Sequence, residues 1–142
     1  MSNPSNDCAR APYFGDVIFT YTRAQALADG VLMDTGALAH EAGFRLPVAV
    51  TAAVFAECVA WNEADSLAQV HQDETGRLWD VLFMAAHAIR CEAGTGASQE
   101  FRFHRVPRDG HSVEPEPVDL KLVIGPDDDG DPVVTVMRSD ED

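Results

Sequence analysis

The spacing of apolar and polar residues changes along the chain, from helical patterns in the first two thirds to strand patterns in the last third. An early exception is the β-branched and aromatic run Val17–Tyr21, which predicts a short strand. Thr22 follows it with Gln25 three residues later, and this capping-box spacing predicts a helix that ends near Ala28. Gly30 then supplies the left-handed exit from that helix.

Further helices are predicted up to residue 92. In chain order they are a short helix through Glu41 capped by Asp34 or Thr35 and ended by Gly43, an apolar helix from Ala52 to about Trp61 capped by Thr51, and an amphipathic helix from Arg77 to about Glu92. Residues 62–70 continue the apolar helix or restart it after a kink. The acid Glu57 interrupts the apolar helix, so it is either exposed to solvent or buried beside a partner such as an arginine.

The last third of the chain has the two-residue period of strands. Phe101, Phe103 and Val106 predict one strand, and the alternation within Val118–Ile124 predicts a second. A turn over residues 126–132 leads to a third strand over residues 133–137, which gives an antiparallel meander. The predicted fold class is therefore α+β, with an N-terminal strand and helices packed on a C-terminal three-stranded antiparallel meander.

The length of 142 residues fits one domain. We expect residues 1–15 to form a flexible N-terminal tail, residues 16–138 a single α+β domain, and residues 139–142 an acidic C-terminal end. The longest apolar stretch is too short to span a membrane, and no secretion signal is visible. The three cysteines are widely separated, which argues against a disulfide scaffold and favours the cytoplasm.

The chain carries a formal net charge of −14, and the charge is unevenly distributed. Residues 1–113 hold 14 acids and 8 bases, whereas residues 114–142 hold 10 acids and 2 bases. Such a field repels nucleic acid and anionic membranes, so direct binding to either is not expected. A short basic island over residues 102–111 is the exception. Its charges can bind a phosphate or an acidic partner, or they can pair with the acidic meander beside them.

The densest group of carboxylates lies in the turn Asp127–Asp131. Clustered carboxylates suit Ca²⁺, but the glycine of this turn falls at the fourth position and no EF-hand glutamate follows. We interpret the segment as an acidic hairpin turn. No zinc motif, nucleophile elbow, P-loop or dinucleotide fingerprint is present, so neither a cofactor nor a catalytic residue is predicted. Asp80 and His87 share one helix face. Either they line a polar site together, or His87 lies at the edge of the core.

Two resemblances accompany these patterns. The stretch Val17–Leu32 resembles the opening of ADP-ribosyltransferase-type domains, although Thr20 or Tyr21 stands where such domains have a basic residue and Arg23 is displaced into the helix. Three blocks together resemble a family of small uncharacterised proteins of bacteria, their plasmids and their phages. The blocks are TYTRAQALADGVL from Thr20 to Leu32, GRLWDVLFMAAH from Gly76 to His87, and RVPRDG from Arg105 to Gly110. This second resemblance implies a mobile-element setting and no known activity.

Two functional hypotheses follow from the sequence. The first is a non-enzymatic acidic interaction protein that binds a basic partner, such as a nucleic-acid-binding host protein, as a DNA mimic or inhibitor of host defence. Its predicted partner-binding residues are Asp127, Asp128, Asp129 and Asp131, supported by Glu114 and Glu116. The alternative is a small ADP-ribosyltransferase-like or nucleotide-binding domain that uses Tyr21, Arg23 and a carboxylate such as Glu57. The sequence predicts no oligomeric state.

Overall fold

The computed structural model describes residues 22–92 and 97–141 of the chain. The predicted strand Val17–Tyr21 and the predicted tail over residues 1–15 lie outside the described residues. The elements, in chain order, are α1 (Arg23–Ala28), β1 (Leu32–Asp34), α2 (Ala37–Glu41), β2 (Val48–Thr51), α3 (Ala52–Val54) continuing into a π-helical turn (Phe55–Val59), α4 (Glu63–Ala68), α5 (Glu74–Glu92), β3 (Ser98–Arg105), β4 (Glu116–Pro126) and β5 (Pro132–Arg138).

Within the described residues, the strands form one five-stranded sheet in the order β1-β2-β5-β4-β3. β3, β4 and β5 make an antiparallel meander, in which Phe103 lies opposite Val118 and Leu122 lies opposite Val136. β2 pairs with β5 in parallel, and β1 pairs with β2 in antiparallel orientation. The α+β class is therefore confirmed. The meander is part of a larger mixed sheet, because two strands from the N-terminal half extend it beyond β5.

The core lies between α5 and one face of the sheet. Val81, Leu82 and Ala85 are fully buried along one side of α5, as its helical period predicts. The buried sheet residues of this core are Val48 and Val50 on β2, Phe103 on β3, Leu120 and Leu122 on β4, and Val134 and Val136 on β5. Burying an aliphatic side chain contributes roughly 1.5–3 kcal/mol to folding. The two periodic patterns therefore determine which faces of helix and sheet meet.

The predicted helix from Ala52 to Trp61 is only partly regular. Its cap is confirmed, since the Thr51 hydroxyl accepts a hydrogen bond from the Val54 amide at 3.3 Å. After one α-helical turn the backbone widens, and the Ala60 amide donates to the Phe55 carbonyl at 2.8 Å, five residues back. The chain then leaves the helix and restarts at α4, where Asn62 and Asp65 form a capping box.

The predicted ends of the other helices agree with the structure at some positions and differ from it at others. The Thr22–Gln25 capping box of α1 is confirmed. α2 begins differently from the prediction, because Gly36 is its N-cap residue and the Thr35 hydroxyl instead donates to the Val48 carbonyl at 2.7 Å. α5 starts at Glu74, three residues before its predicted start.

Candidate binding site

The acidic turn between β4 and β5 is held in place by its own hydrogen bonds. One carboxylate oxygen of Asp127 accepts the amides of Asp129 and Asp131, each at 2.9 Å. The Asp127 amide donates to the Asp131 carbonyl at 2.7 Å, and Gly130 has a φ of 89°, which favours glycine. Asp129 and Asp131 are exposed to solvent. The turn is thus a closed loop with two carboxylates directed at water.

Asp128 connects this turn to the first helix. Its two carboxylate oxygens accept the backbone amides of Arg23 at 2.8 Å and Ala24 at 3.0 Å. These amides belong to the first turn of α1, where no helical partner is available to them. The Arg23 guanidinium donates to the Thr135 hydroxyl at 2.8 Å and to the Val134 carbonyl at 3.2 Å. Asp128 therefore has a structural role in addition to its charge.

The structure adds one carboxylate that the sequence did not indicate. Asp34, at the end of β1, lines a cleft of about 240 Å³ together with Asp127, Asp128 and Asp129. Asp34 is far from the turn in sequence, and it reaches the turn because β1 pairs with β2 and β2 pairs with β5. We call Asp34 and the turn residues 127–131 the acidic end of the sheet.

Glu114 and Glu116 lie elsewhere. Glu116 is the first residue of β4 and the acidic turn follows its last, Pro126. Ten residue steps at about 3.3 Å each separate these ends by roughly 33 Å. Both glutamates are exposed. The six predicted binding residues therefore form two groups at opposite ends of one strand.

The carboxylates do not form a cluster of metal-binding geometry. Among residues 22–92 and 97–141, no group of three or more His, Cys, Asp or Glu side chains could hold a metal ion. One of the two carboxylate oxygens of Asp127, Oδ1, already accepts two backbone amides. The interpretation of the segment as an acidic hairpin turn accounts for these contacts.

The basic island over residues 102–111 is neutralised by nearby acids. Each of its three arginines forms an ion pair, and these pairs are Arg102–Asp119 at 2.9 Å, Arg105–Glu57 at 2.7 Å and Arg108–Asp65 at 2.8 Å. Arg102 and Asp119 are directly opposite each other on β3 and β4. Internal pairing is thus the role of these arginines, and only Arg102 pairs with an acid of the meander itself.

Glu57 occupies a half-buried position and pairs with two arginines. Its carboxylate lies 2.7 Å from Arg105 Nη2 and 3.3 Å from Arg138 Nη1. Of the two roles that the sequence leaves open, pairing with an arginine is the correct one. The neighbouring Cys58 faces the core, and burial raises the pKa of its thiol to about 11. Cys58 is therefore a neutral structural thiol at pH 7.

The residues of the ADP-ribosyltransferase alternative are used in other ways. Tyr21 lies outside the described residues. Arg23 is bound to Thr135, whereas Glu57 is bound to Arg138 three residues further along β5. Their contacts hold these two side chains at positions about 10 Å apart along that strand. No contact between described residues favours this alternative.

Asp80 and His87 both lie on the exposed side of α5.

The mixed sheet, the helices packed on it and its acidic end define an acidic α+β protein. Residues 12–142 match the model of a family of unknown function, DUF6573, and the chain belongs to that family. The predicted membership of an uncharacterised family is thus confirmed. None of the curated proteins and none of the solved structures matches the chain.

No helix in the described part of the chain is both long and apolar enough to cross a membrane.

Proposed function

We propose that this protein is a non-enzymatic, cytoplasmic interaction protein that binds a basic partner through the acidic end of the sheet. The partner class is a nucleic-acid-binding host protein, whose phosphate-binding groove the carboxylates would occupy as a DNA mimic. The mobile-element setting implied by the sequence resemblance fits an inhibitor of host defence. The observation that carries the proposal is the closed turn, in which backbone amides fix Asp127 and Asp128 beside the exposed Asp129 and Asp131.

Rigidity supports this role because a partner would not have to order the turn. Binding to a flexible acidic segment costs conformational free energy, and a preorganised loop avoids most of that cost. Asp34 adds a carboxylate from a second element, so the charge extends over an area instead of a single turn. Arg and Lys side chains that normally bind phosphate would meet ordered carboxylates at this end.

The net charge of −14 supports the same role because it would raise the rate at which the protein associates with a basic partner. A strongly charged protein attracts an oppositely charged partner over distances of about a Debye length, which is about 8 Å at physiological salt. Such steering raises association rates and weakens as salt is added. The same field disfavours direct binding to nucleic acid, so the proposed partner is a protein.

The test compares two variants of equal charge change. The protein captures partners from a lysate of its native host at low salt, and each captured protein is measured for affinity. We expect Asp129→Asn with Asp131→Asn to weaken binding about tenfold or more, because each desolvated charge pair is worth about 1 kcal/mol or more. The control, Glu114→Gln with Glu116→Gln, removes the same charge at the other end of β4 and is expected to weaken binding less than about threefold.

The role as a DNA mimic has its own readout. Duplex DNA and this protein should compete for the captured partner, and high salt should weaken both complexes. Equal losses in the two double variants would indicate a general charge effect and contradict a site at the acidic end of the sheet. Simultaneous binding of DNA and protein, or binding that salt does not weaken, would contradict DNA mimicry.

A further inference from the structure

Seven of the basic residues in the described part of the chain are bound to other groups of the protein. These seven are Arg23, Arg77, Arg102, Arg105, Arg108, Lys121 and Arg138. Two more, Arg45 and Arg90, are exposed and form no hydrogen bond or ion pair with any described residue. Within the described part of the chain, no ion pair neutralises Arg45 or Arg90, although acids greatly outnumber bases in the sequence.

Both of these arginines line the same cleft. The cleft has a volume of about 370 Å³ and lies between the segment 43–46, the C-terminal part of α5 and the sheet. Its apolar lining consists of Phe44, Leu46, Ala86, Ile89, Ile124 and Val134. We call this cavity, with Arg45 and Arg90, the arginine cleft. An apolar wall with a few polar groups is typical of small-molecule sites.

The backbone at Gly43 makes room for one of the arginines. Gly43 has a φ of +113°, and a Cβ at this position would lie 3.1 Å from Arg90 Nη1. The Arg90 guanidinium therefore packs against the bare glycine at the edge of the cleft. Gly43 ends the turn after α2, so the same residue closes that helix and accommodates the guanidinium.

We propose that the arginine cleft binds a small carboxylate with an apolar body, such as a medium-chain fatty acid. Arg45 and Arg90 would bind the carboxylate through charge-assisted hydrogen bonds, and the apolar lining would bury the hydrocarbon chain. Charge complementarity favours an anion, since neither guanidinium group has a carboxylate partner among the described residues. The volume of the cleft favours a small molecule, because it falls at the lower end of the range for ligand pockets. A specific protein interface, by contrast, buries more than about 1,000 Å² of surface.

The experiment uses decanoate as the probe, below its micelle concentration, with the full chain labelled for NMR. We expect decanoate to shift the amide signals of residues 43–46 and 86–90. Two further probes separate the contributions: acetate carries the charge without the chain, and decanol carries the chain without the charge. Both should bind about tenfold more weakly than decanoate, because each lacks one of the two interactions.

Matched variants test the arginines. Arg45→Gln with Arg90→Gln should weaken decanoate binding about tenfold while the protein stays folded, since both side chains are exposed. The control, Arg102→Gln with Arg108→Gln, removes the same charge far from the cleft and should leave decanoate affinity unchanged. The proposal is overturned if decanoate does not bind, if it shifts amides elsewhere, if decanol binds as tightly, or if the two variants lose affinity equally.

Discussion

At the scale of single residues, Arg77 connects several separate parts of the fold. Its side chain is 4% exposed, and it donates to the carbonyls of Val59 and Val106, each at 3.1 Å, and to Gln72 Oε1 at 2.6 Å. The guanidinium also stacks on Trp61, 4.5 Å from the ring centre. Burial lowers the pKa of Arg77 from its ordinary value. One side chain thus joins the π-helical turn, α5 and the end of β3.

Removing Arg77 should destabilise the protein strongly. We expect Arg77→Ala to lower the free energy of unfolding by about 2–4 kcal/mol, because two buried carbonyls would lose their donor. Urea denaturation measures the change. Arg102→Ala is the control, since its ion pair with Asp119 is exposed and its loss should move the urea midpoint little. Equal shifts for the two variants would show that the contacts of Arg77 contribute no more than a surface pair.

The role of Arg77 could not be predicted from the sequence. Arg77 was expected at the start of an amphipathic helix, where arginines are commonly solvent-exposed. Its carbonyl partners become available only because the helix after Thr51 ends in a π-helical turn and because β3 ends beside it. Glu57 was the one residue of this region whose local pattern, an acid in an apolar helix, indicated a partner.

At the scale of elements, α1 and the turn between β4 and β5 depend on each other. The Asp128 carboxylate accepts two amides at the start of α1, a helix of six residues that has few internal hydrogen bonds of its own. Negative charge is favourable at a helix N-terminus because the free amides there carry partial positive charge. The acidic turn is consequently part of the packing of α1 as well as a charged surface.

This dependence predicts different effects for adjacent aspartates. Asp128→Ala should lower the free energy of unfolding by about 1 kcal/mol, the typical effect of losing a helix cap. Asp129→Ala should leave it unchanged, since the Asp129 side chain makes no hydrogen bond within the described residues. Thermal or urea denaturation of both variants provides the comparison. A loss at Asp129 as large as that at Asp128 would contradict the assignment of the cap to Asp128.

The elements that were predicted correctly rest on local signals. The Thr22–Gln25 capping box, the helical period of α5 and the alternation in β4 all involve residues close in sequence. The parallel pairing of β2 with β5 joins segments more than 80 residues apart, and no local pattern encodes it. For this reason the sequence could not predict that Asp34 lies beside the acidic turn, or that Glu114 lies far from it.

At the scale of the whole molecule, the net charge of −14 acts against folding. Like charges repel each other more strongly in the compact state than in the unfolded chain, and salt screens this repulsion. We therefore expect the melting temperature to rise by about 3 °C between about 20 mM and about 500 mM NaCl. A variant that carries the amide substitutions at Asp129, Asp131, Glu114 and Glu116 should show a smaller rise. A melting temperature that falls with salt would mean that internal ion pairs outweigh the repulsion.

The position of β5 has a consequence for synthesis of the protein. β5 lies in the middle of the sheet, between β2 and β4, yet it is translated after the other four strands of the described sheet. Until residue 138 has left the ribosome, the nascent chain holds two strands whose inner edges have no neighbour, and such edges are prone to associate with other chains. Messenger RNAs truncated before the codons of β5 would therefore yield unfinished chains that chaperones bind and proteases degrade. They would not yield shorter functional proteins.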